Sequence, residues 1–352
     1  MSELPDEAYA VALALLPKVG PATLRELTAG EHGLPDAWAR ITGATDEARE
    51  DVERHWRRHC DLGITVLLQG DARYPERLCD LPFAPAVVFC RGNPAALSSH
   101  PTVALVGTRS PTRYGIGVAA QLAADLSAAQ VSIVSGLALG IDGAAHEGAC
   151  GAGAPPIAVV AGGVDEPYPR RHARLWQRVS ELGVVVSESP AGGRTEKWRF
   201  PVRNRLMAAL SDVVVVVESR HHGGSRHTVD AAMMLGKGVG AVPGSIRSVA
   251  SEGTNALMAE GAFPVCSATD VLVALSLRGA HVPIPKKPAA GEVGKDLPPS
   301  EKALFDVLTF EPTSLDELVR ISGLDFAELC GGLERLAQAG LARDLGGWWE
   351  RV

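Results

Sequence analysis

Between Glu166 and Arg205 the chain holds nine Arg or Lys against four Glu, a local +5 inside a protein of formal net charge −7. Three of those cations, Arg199, Arg203 and Arg205, stand in RFPVRNRLMAALSDVVVVVE (199–218), immediately before and inside an apolar helix pattern that feeds a Val run. Cations at a helix start oppose the macrodipole, so local stability does not account for them. An anion outside the helix does, because guanidinium forks match phosphate oxygens and a basic island on an acidic protein marks a localised anion site. Phe200, close to Arg203, Asn204 and Arg205, adds a π-face, and charge plus a stacking ring is what single-stranded nucleic acid requires of a surface. The competing reading packs Phe200 inward and pairs one arginine with Glu188 or Glu218.

Other loops carry compatible groups. VALVGTRSPTRYGIG places Gly107, Thr108 and Arg109 after an apolar run, where backbone N–H groups and a guanidinium can approach an anion; it is not GxGxxG, so the dinucleotide fingerprint fails. GVDEPYPRRHARLW sets Arg170 at a helix entry. ESRHHGGSRHTVDAA supplies Gly223, Gly224, Ser225 and Thr228, a small-residue loop opening a helix. His221 and His222 are adjacent without a third ligand, and they border a site more naturally than they bind a metal. Asp142 and His146, four apart, share a helix face and can pair, but no nucleophile accompanies them.

These loops need a scaffold. Seven Val- or Ile-rich runs (PAVVFCRG, TVALVGT, VSIVSG, PIAVVAGG, GVVVSES, DVVVVVE and GVGAVPG) alternate with helical stretches between about 82 and 278. Continuous apolar runs alternating with helices predict an α/β, doubly wound, mostly parallel sheet of Rossmann-like type, with ligands at the carboxyl ends of the strands. Residues 1–80 read as a helical N-terminal domain. There LPKVGPATLREL (16–27) gives a turn of SAM or helix-hairpin-helix type, although Lys18 replaces the usual first Gly. The core is assigned to 81–278 and a proline-rich linker to 279–299.

Residues 300–352 read as a winged-helix-like domain. Ser314 and Glu317 fit a capping box, and Phe326, Leu329, Leu333 and Leu336 an apolar stripe; Gly323, Gly340 and Gly346-Gly347 fit turns. From Leu297 to Val352 ten acids oppose five bases, so this domain is a poor duplex binder and reads as a protein-contact or regulatory module. Six scattered cysteines without a CxxC pair suggest neither zinc nor a disulfide framework, and read as mostly buried, reduced thiols. No apolar run approaches a membrane span, and the acidic flanks of the N-terminal apolar stretch do not suit a signal peptide, so a cytoplasmic protein is expected.

Taken in order, Val106-Gly107-Thr108-Arg109, Ser135 to His146, Gly163 to Pro169, Ser187 to Pro190, Phe200 to Arg205, Gly224 to Thr228 and Pro243-Gly244 resemble the signals of the DNA processing protein A family, DprA/Smf. The resemblance covers about residues 70–275. It implies single-stranded DNA binding, homodimerisation of the core and loading of the RecA recombinase during natural transformation or related recombination, with no catalysis, metal or cofactor. It carries over Gly107, Thr108, Arg109, Arg170, Phe200 as the base-stacking ring, Arg203, Asn204, Arg205, Gly224, Ser225 and Thr228 as nucleic-acid contacts. One loop departs from the pattern: Gly223-Gly224-Ser225-Arg226-His227-Thr228 loses a hydroxyl and an apolar residue and gains a cation.

The rival function is a nucleotide-binding enzyme or sensor of phosphoribohydrolase type, with GGSRHT, Asp230 and a carboxylate among Asp142, Glu188 and Glu218. The lack of an acid/base pair or an oriented nucleophile at readable spacing argues against it.

Overall fold

A computed structural model describes residues 4–30, 33–193, 195–221, 223–282 and 297–351. The chain divides into two compact units, residues 1–284 and 285–352.

In the first unit nine strands form one sheet in the order β1-β2-β6-β5-β4-β3-β7-β8-β9: Ile64–Leu68, Val87–Gly92, Val184–Ser187, Ile157–Val159, Ser132–Ser135, Thr102–Val106, Val213–Val216, Gly238–Ala241 and Phe263–Pro264. All neighbours from β6 to β9 are parallel, whereas β2 runs antiparallel to both β6 and β1. Side chains alternate across a strand, so a run apolar at every position needs a core on each face. On β7, Val213 and Val215 enter one core with α5 (Arg113–Ala128), α6 (Ile141–Ala149) and α11 (Ala268–Leu277). Val214 and Val216 enter the other with α8 (Arg199–Ala209), α9 (Arg226–Met234) and α10 (Glu252–Ala259). All four valines are 0% exposed, and each such burial stabilises by about 1.5–3 kcal/mol.

Part of the N-terminal segment departs from its helical expectation. Four helices, α1 (Asp6–Leu15), α2 (Pro21–Ala29), α3 (Leu34–Thr42) and α4 (Asp46–Asp61), are followed by β1, which adds an edge strand. Thr65 interrupts the apolar pattern of β1, and Thr65 and Leu68 are only half-buried, as an edge strand allows. The helices share a core with β1, β2 and α7 (Ala173–Leu182), so they are part of the first unit. Lys18, in the turn before α2, adopts φ +76°, the left-handed conformation that glycine favours.

The second unit comprises α12 (Pro299–Val307), β10 (Thr313–Ser314), α13 (Leu315–Ser322), α14 (Phe326–Gln338), β11 (Ala342–Asp344) and β12 (Trp348–Arg351), with strand order β10-β12-β11. The Ser314 hydroxyl accepts the Glu317 N–H at the start of α13, and Gly323, Gly346 and Gly347 take positive φ as turns. Leu329, Leu333 and Leu336 are buried, but Phe326 is exposed: as the first residue of α14 it lies beyond the core that its heptad neighbours fill. Most of the linker assigned to 279–299 lies outside the described residues. Of the six cysteines, Cys60, Cys79 and Cys266 are exposed and only Cys90 is buried, so the thiols are more accessible than expected. Among the described residues no helix is long and apolar enough to cross a membrane.

Candidate nucleic-acid interface

From β3 the chain steps through β4, β5 and β6 on one side, then returns to place β7 on the other side of β3. Strand order therefore reverses between β3 and β7, and a crevice opens at their carboxyl ends. A cavity of about 610 Å³ occupies this crevice, walled by Val106, Gly107, Thr108 and Arg109 after β3, and by Arg220 and Gly223 to Ser225 after β7. Its third wall is α8, which contributes Phe200, Pro201, Arg203, Asn204 and Met207. Tyr168, Lys197 and His227 complete the rim.

Gly107 can form this wall only without a side chain, because a Cβ there would come within 2.6 Å of the Glu218 carbonyl oxygen and 2.7 Å of Ile141 Cγ1. Thr108 N–H donates to the Glu218 carbonyl (2.8 Å), locking the two strand ends together. The Glu218 carboxylate turns away into the start of α5, accepting the Thr112 N–H (2.9 Å) and hydroxyl (2.5 Å). A buried carboxylate at a helix N-terminus is favoured by the macrodipole, so Glu218 is fully engaged in positioning α5.

The three α8 cations and their neighbours separate into distinct roles. Arg203 lines the cavity but is largely buried, with Nη1 donating to the carbonyls of Gly136 (2.9 Å) and Val159. Asp142 lies across Gly136 from it, held by the backbone N–H groups of Gly136 and Ala138. Burial raises the Asp142 pKa against the opposing pull of Arg203, and burial lowers that of Arg203 to about 10, which leaves it charged at neutral pH. Arg205 points elsewhere: its Nη2 donates to both Glu188 carboxylate oxygens (2.6 Å each) and its Nη1 to the Phe83 carbonyl (2.8 Å). The reading that pairs one arginine with Glu188 thus describes Arg205, which does not line the cavity. Arg199 donates to the Ser189 hydroxyl (2.6 Å).

Arg109 is exposed, and its guanidinium carbon lies 4.7 Å from the centroid of Phe200; Tyr168 meets the same ring at 5.8 Å, tilted by 50°. Phe200 is half-buried and forms part of the wall. Asn204 donates to the Gly224 carbonyl (3.3 Å), tying α8 to the small-residue loop. Ser225 is buried and hydrogen-bonded to Ser219 (2.8 Å), whereas the buried Thr228 hydroxyl at the cavity has no hydrogen-bond partner among the described residues. Arg170 is exposed on a short 3-10 turn and lies outside the cavity lining, although Tyr168 just before it belongs to the rim. His146 is buried beside the Ser135 backbone, and among the described residues its ring makes no hydrogen bond to Asp142, so that pairing is not made. His222 lies outside the described residues, and among the described residues no group of three or more His, Cys, Asp or Glu is placed to hold a metal.

Sequence reasoning missed Lys197, Arg220 and the rim position of Tyr168. With Arg109, Lys197 and Arg220 place three exposed cations on the cavity, none within ion-pair distance of a carboxylate among the described residues. Such cations are free to meet an external anion. Their signal was the loop position after a strand or before α8, which the count of the basic island included only for Lys197.

The sequence profile of the DNA recombination-mediator protein A family matches residues 65–276, and that of the DprA winged helix domain matches residues 286–347. A Mycobacterium tuberculosis protein bearing the DprA name is 35% identical over 367 residues, covering 99% of this chain and 92% of its own. The DNA processing protein DprA of Streptococcus pneumoniae is 40% identical over 202 residues, 57% of this chain and 71% of its own. The X-ray structure of that pneumococcal protein superposes with a TM-score of 0.63 at 32% identity, over 77% of this chain and 98% of its own. The Helicobacter pylori DNA processing protein A, whose structure addresses a single-stranded DNA binding mode, gives 0.56 at 29% identity over 62% of this chain and 97% of its own. With its switch-point crevice, its winged-helix unit and relatives matched over nearly the whole chain, this protein belongs to the DNA recombination-mediator protein A (DprA/Smf) family.

Proposed function

We propose that the switch-point cavity holds single-stranded DNA, and that the protein protects the strand and passes it to the RecA recombinase during DNA uptake or related recombination. The observation that carries this reading is the rim itself: three exposed cations, Arg109, Lys197 and Arg220, without a carboxylate partner among the described residues, around a crevice walled by Phe200 and Tyr168. Phosphates follow the cations, a base stacks against the aromatic wall, and the Thr228 hydroxyl offers a hydrogen bond inside. Arg203, largely buried in the cavity wall, fixes the Gly136 and Val159 carbonyls and adds positive potential. The Helicobacter pylori relative's single-stranded DNA binding mode supports the same ligand here.

The protein acts by binding, in the cytoplasm, as a dimer of its first unit. Family membership supports the dimer and the RecA partnership. The apolar side chains left in water, among them Met233, Met234 and Ile246, offer copy-to-copy contact area.

The test is fluorescence anisotropy of a labelled, mixed-sequence single strand at several salt concentrations. Three phosphates neutralised on single-stranded DNA give a slope of log K against log salt of about −2. Binding without salt dependence, or equal binding by an Arg109→Ala/Arg220→Ala double variant, would overturn the reading. Release of free base from nucleoside monophosphates would instead place the chemistry with the phosphoribohydrolases.

A further inference from the structure

Beside the cavity stands an aromatic residue that the cleft itself does not use. Trp198, immediately before α8 and two residues from Phe200, keeps 51% of its surface in solvent. Two contacts hold it in place. Its indole N–H donates to Glu196 Oε2 (2.7 Å), and the Arg199 guanidinium carbon lies 4.7 Å from its ring centroid. Arg199 is anchored in turn by Ser189, and its Nε forms an ion pair with Glu196 Oε2 (3.7 Å), the same carboxylate oxygen that holds the indole. The ring edges a small depression shared with Pro21, Glu188 and Ser189, separate from the main cavity but adjoining it through Arg203.

An exposed indole costs contact with water over a large apolar area, and fixing its orientation costs side-chain entropy. A ring pinned at its edge and backed by a cation is a preorganised stacking surface. The arrangement repeats, two residues along, the one at Phe200: an aromatic ring with a guanidinium carbon 4.7 Å from its centroid.

We propose that Trp198 is a second base-stacking platform, taking the base of a nucleotide next to the one held in the cavity, so that the strand leaves the crevice over the Trp198–Arg199 pair toward the N-terminal helices. The inference rests on the single-strand reading of the cavity. It fixes the polarity-independent footprint at two adjacent bases or more and names the exit side. Arg199 stands between the two rings along the chain, and Lys197, next to Trp198, lines the cavity, so each side of the Trp198 ring carries a cation for a linking phosphate.

The experiment compares the full-length wild type with Trp198→Ala, Trp198→Leu and Trp198→Phe, titrated against labelled oligo-dT and against an abasic oligonucleotide of equal length. Loss of one stacked base lowers affinity roughly 5- to 150-fold, so the Ala and Leu variants lose that much on oligo-dT and the Phe variant recovers most of it. On the abasic strand all four proteins bind alike, and the salt slope is the same for each because no charge has been removed. Wild-type affinity of the Ala and Leu variants for oligo-dT would overturn the inference, as would equal losses on oligo-dT and the abasic strand. Absence of single-strand binding by the wild type would sink the cavity reading itself, and is thereby distinguishable. The side chain is half in solvent, and circular dichroism of each variant checks that the fold is kept.

Discussion

The guanidinium carbon of Arg109, from the loop after β3, lies 4.7 Å from the ring centroid of Phe200 on α8. The contact joins two walls of the switch-point crevice and leaves the cation exposed with no carboxylate partner among the described residues. Cation and ring are thus held together before any ligand arrives. Arg109→Ala removes a phosphate contact, so it should weaken single-strand binding with little regard to sequence and make the salt slope shallower by roughly 0.7. Arg109→Lys keeps the charge but not the planar stack, so it should keep the slope and lose part of the affinity. Anisotropy titrations at three salt concentrations check both.

Arg205 should behave differently. Its two bonds to Glu188 hold a carboxylate whose side chain is only 11% exposed and whose pKa is raised by burial, against the lowering by Arg205. Removing one partner of such a pair strands the other, at roughly 3 kcal/mol. Arg205→Ala should therefore lower the midpoint of urea unfolding while the folded fraction binds single strands within about twofold of wild type. The Arg205→Met/Glu188→Leu double variant should be more stable than Arg205→Ala, since no charge is left unpaired. A normal midpoint with lost binding would show that Arg205 works as a DNA contact instead.

The difference between these arginines also shows what the sequence could and could not reveal. Runs such as VVVV at 213–216 were legible because parallel strands with a core on each face admit apolar residues throughout. The strand-end loops were legible through their glycines and cations. Which face of α8 meets the crevice was not, because that depends on the order in which distant strands pair. Phe200, Arg203, Asn204 and Met207 follow the helical i, i+3, i+4, i+7 spacing and do line the cavity. Arg205 is about 200° around the helix from Arg203, hence on the side of Glu188. That periodicity, applied to the cations and not only to the apolar residues, separates the two. β1 escaped because it is an antiparallel edge strand outside the alternating strand–helix pattern, and Trp198 because an exposed ring shows no period.

His146 predicts a pH dependence of stability. It is fully buried, and burial lowers its pKa to about 4 from 6.5, with the Ser135 backbone opposing the shift and His172 and Arg203 nearby adding to it. A folded-state pKa below the unfolded value means that the unfolded chain binds the extra proton first. Stability is therefore unaffected by this group above pH 6.5 and falls as pH drops from 6.5 toward 4, by about 3 kcal/mol in all. Burial lowers His55 and His59 as well, with the same sign, whereas it raises Asp142 and Glu188, which stabilises the fold on acidification. The contribution of His146 is isolated by the difference between wild type and His146→Leu in urea unfolding at pH 7.5, 6.0 and 5.0. That difference should shift in favour of the variant with each step down, and a constant difference would contradict the buried neutral imidazole.

The second unit should be dispensable for holding the strand. It has its own core of Leu304, Phe305, Leu318, Leu329, Leu333 and Leu336, as the first unit has its own three, so neither requires the other to fold. In a winged helix the second helix of the helix-turn-helix is the one that enters a DNA groove. Here that helix is α14, whose exposed residues include Glu328 and Glu334, while its Arg335 is paired with Glu301. Since phosphate neutralisation dominates DNA affinity, a surface of this sign contributes repulsion. A chain ending at residue 284 should bind single strands at least as tightly as the full chain, with an unchanged salt slope because the rim cations all remain. The full chain should bind duplex no more tightly than the shortened one. Parallel anisotropy titrations of both chains with single strand and duplex measure this, and a tenfold loss of single-strand affinity on truncation would assign the acidic unit a direct part in the complex.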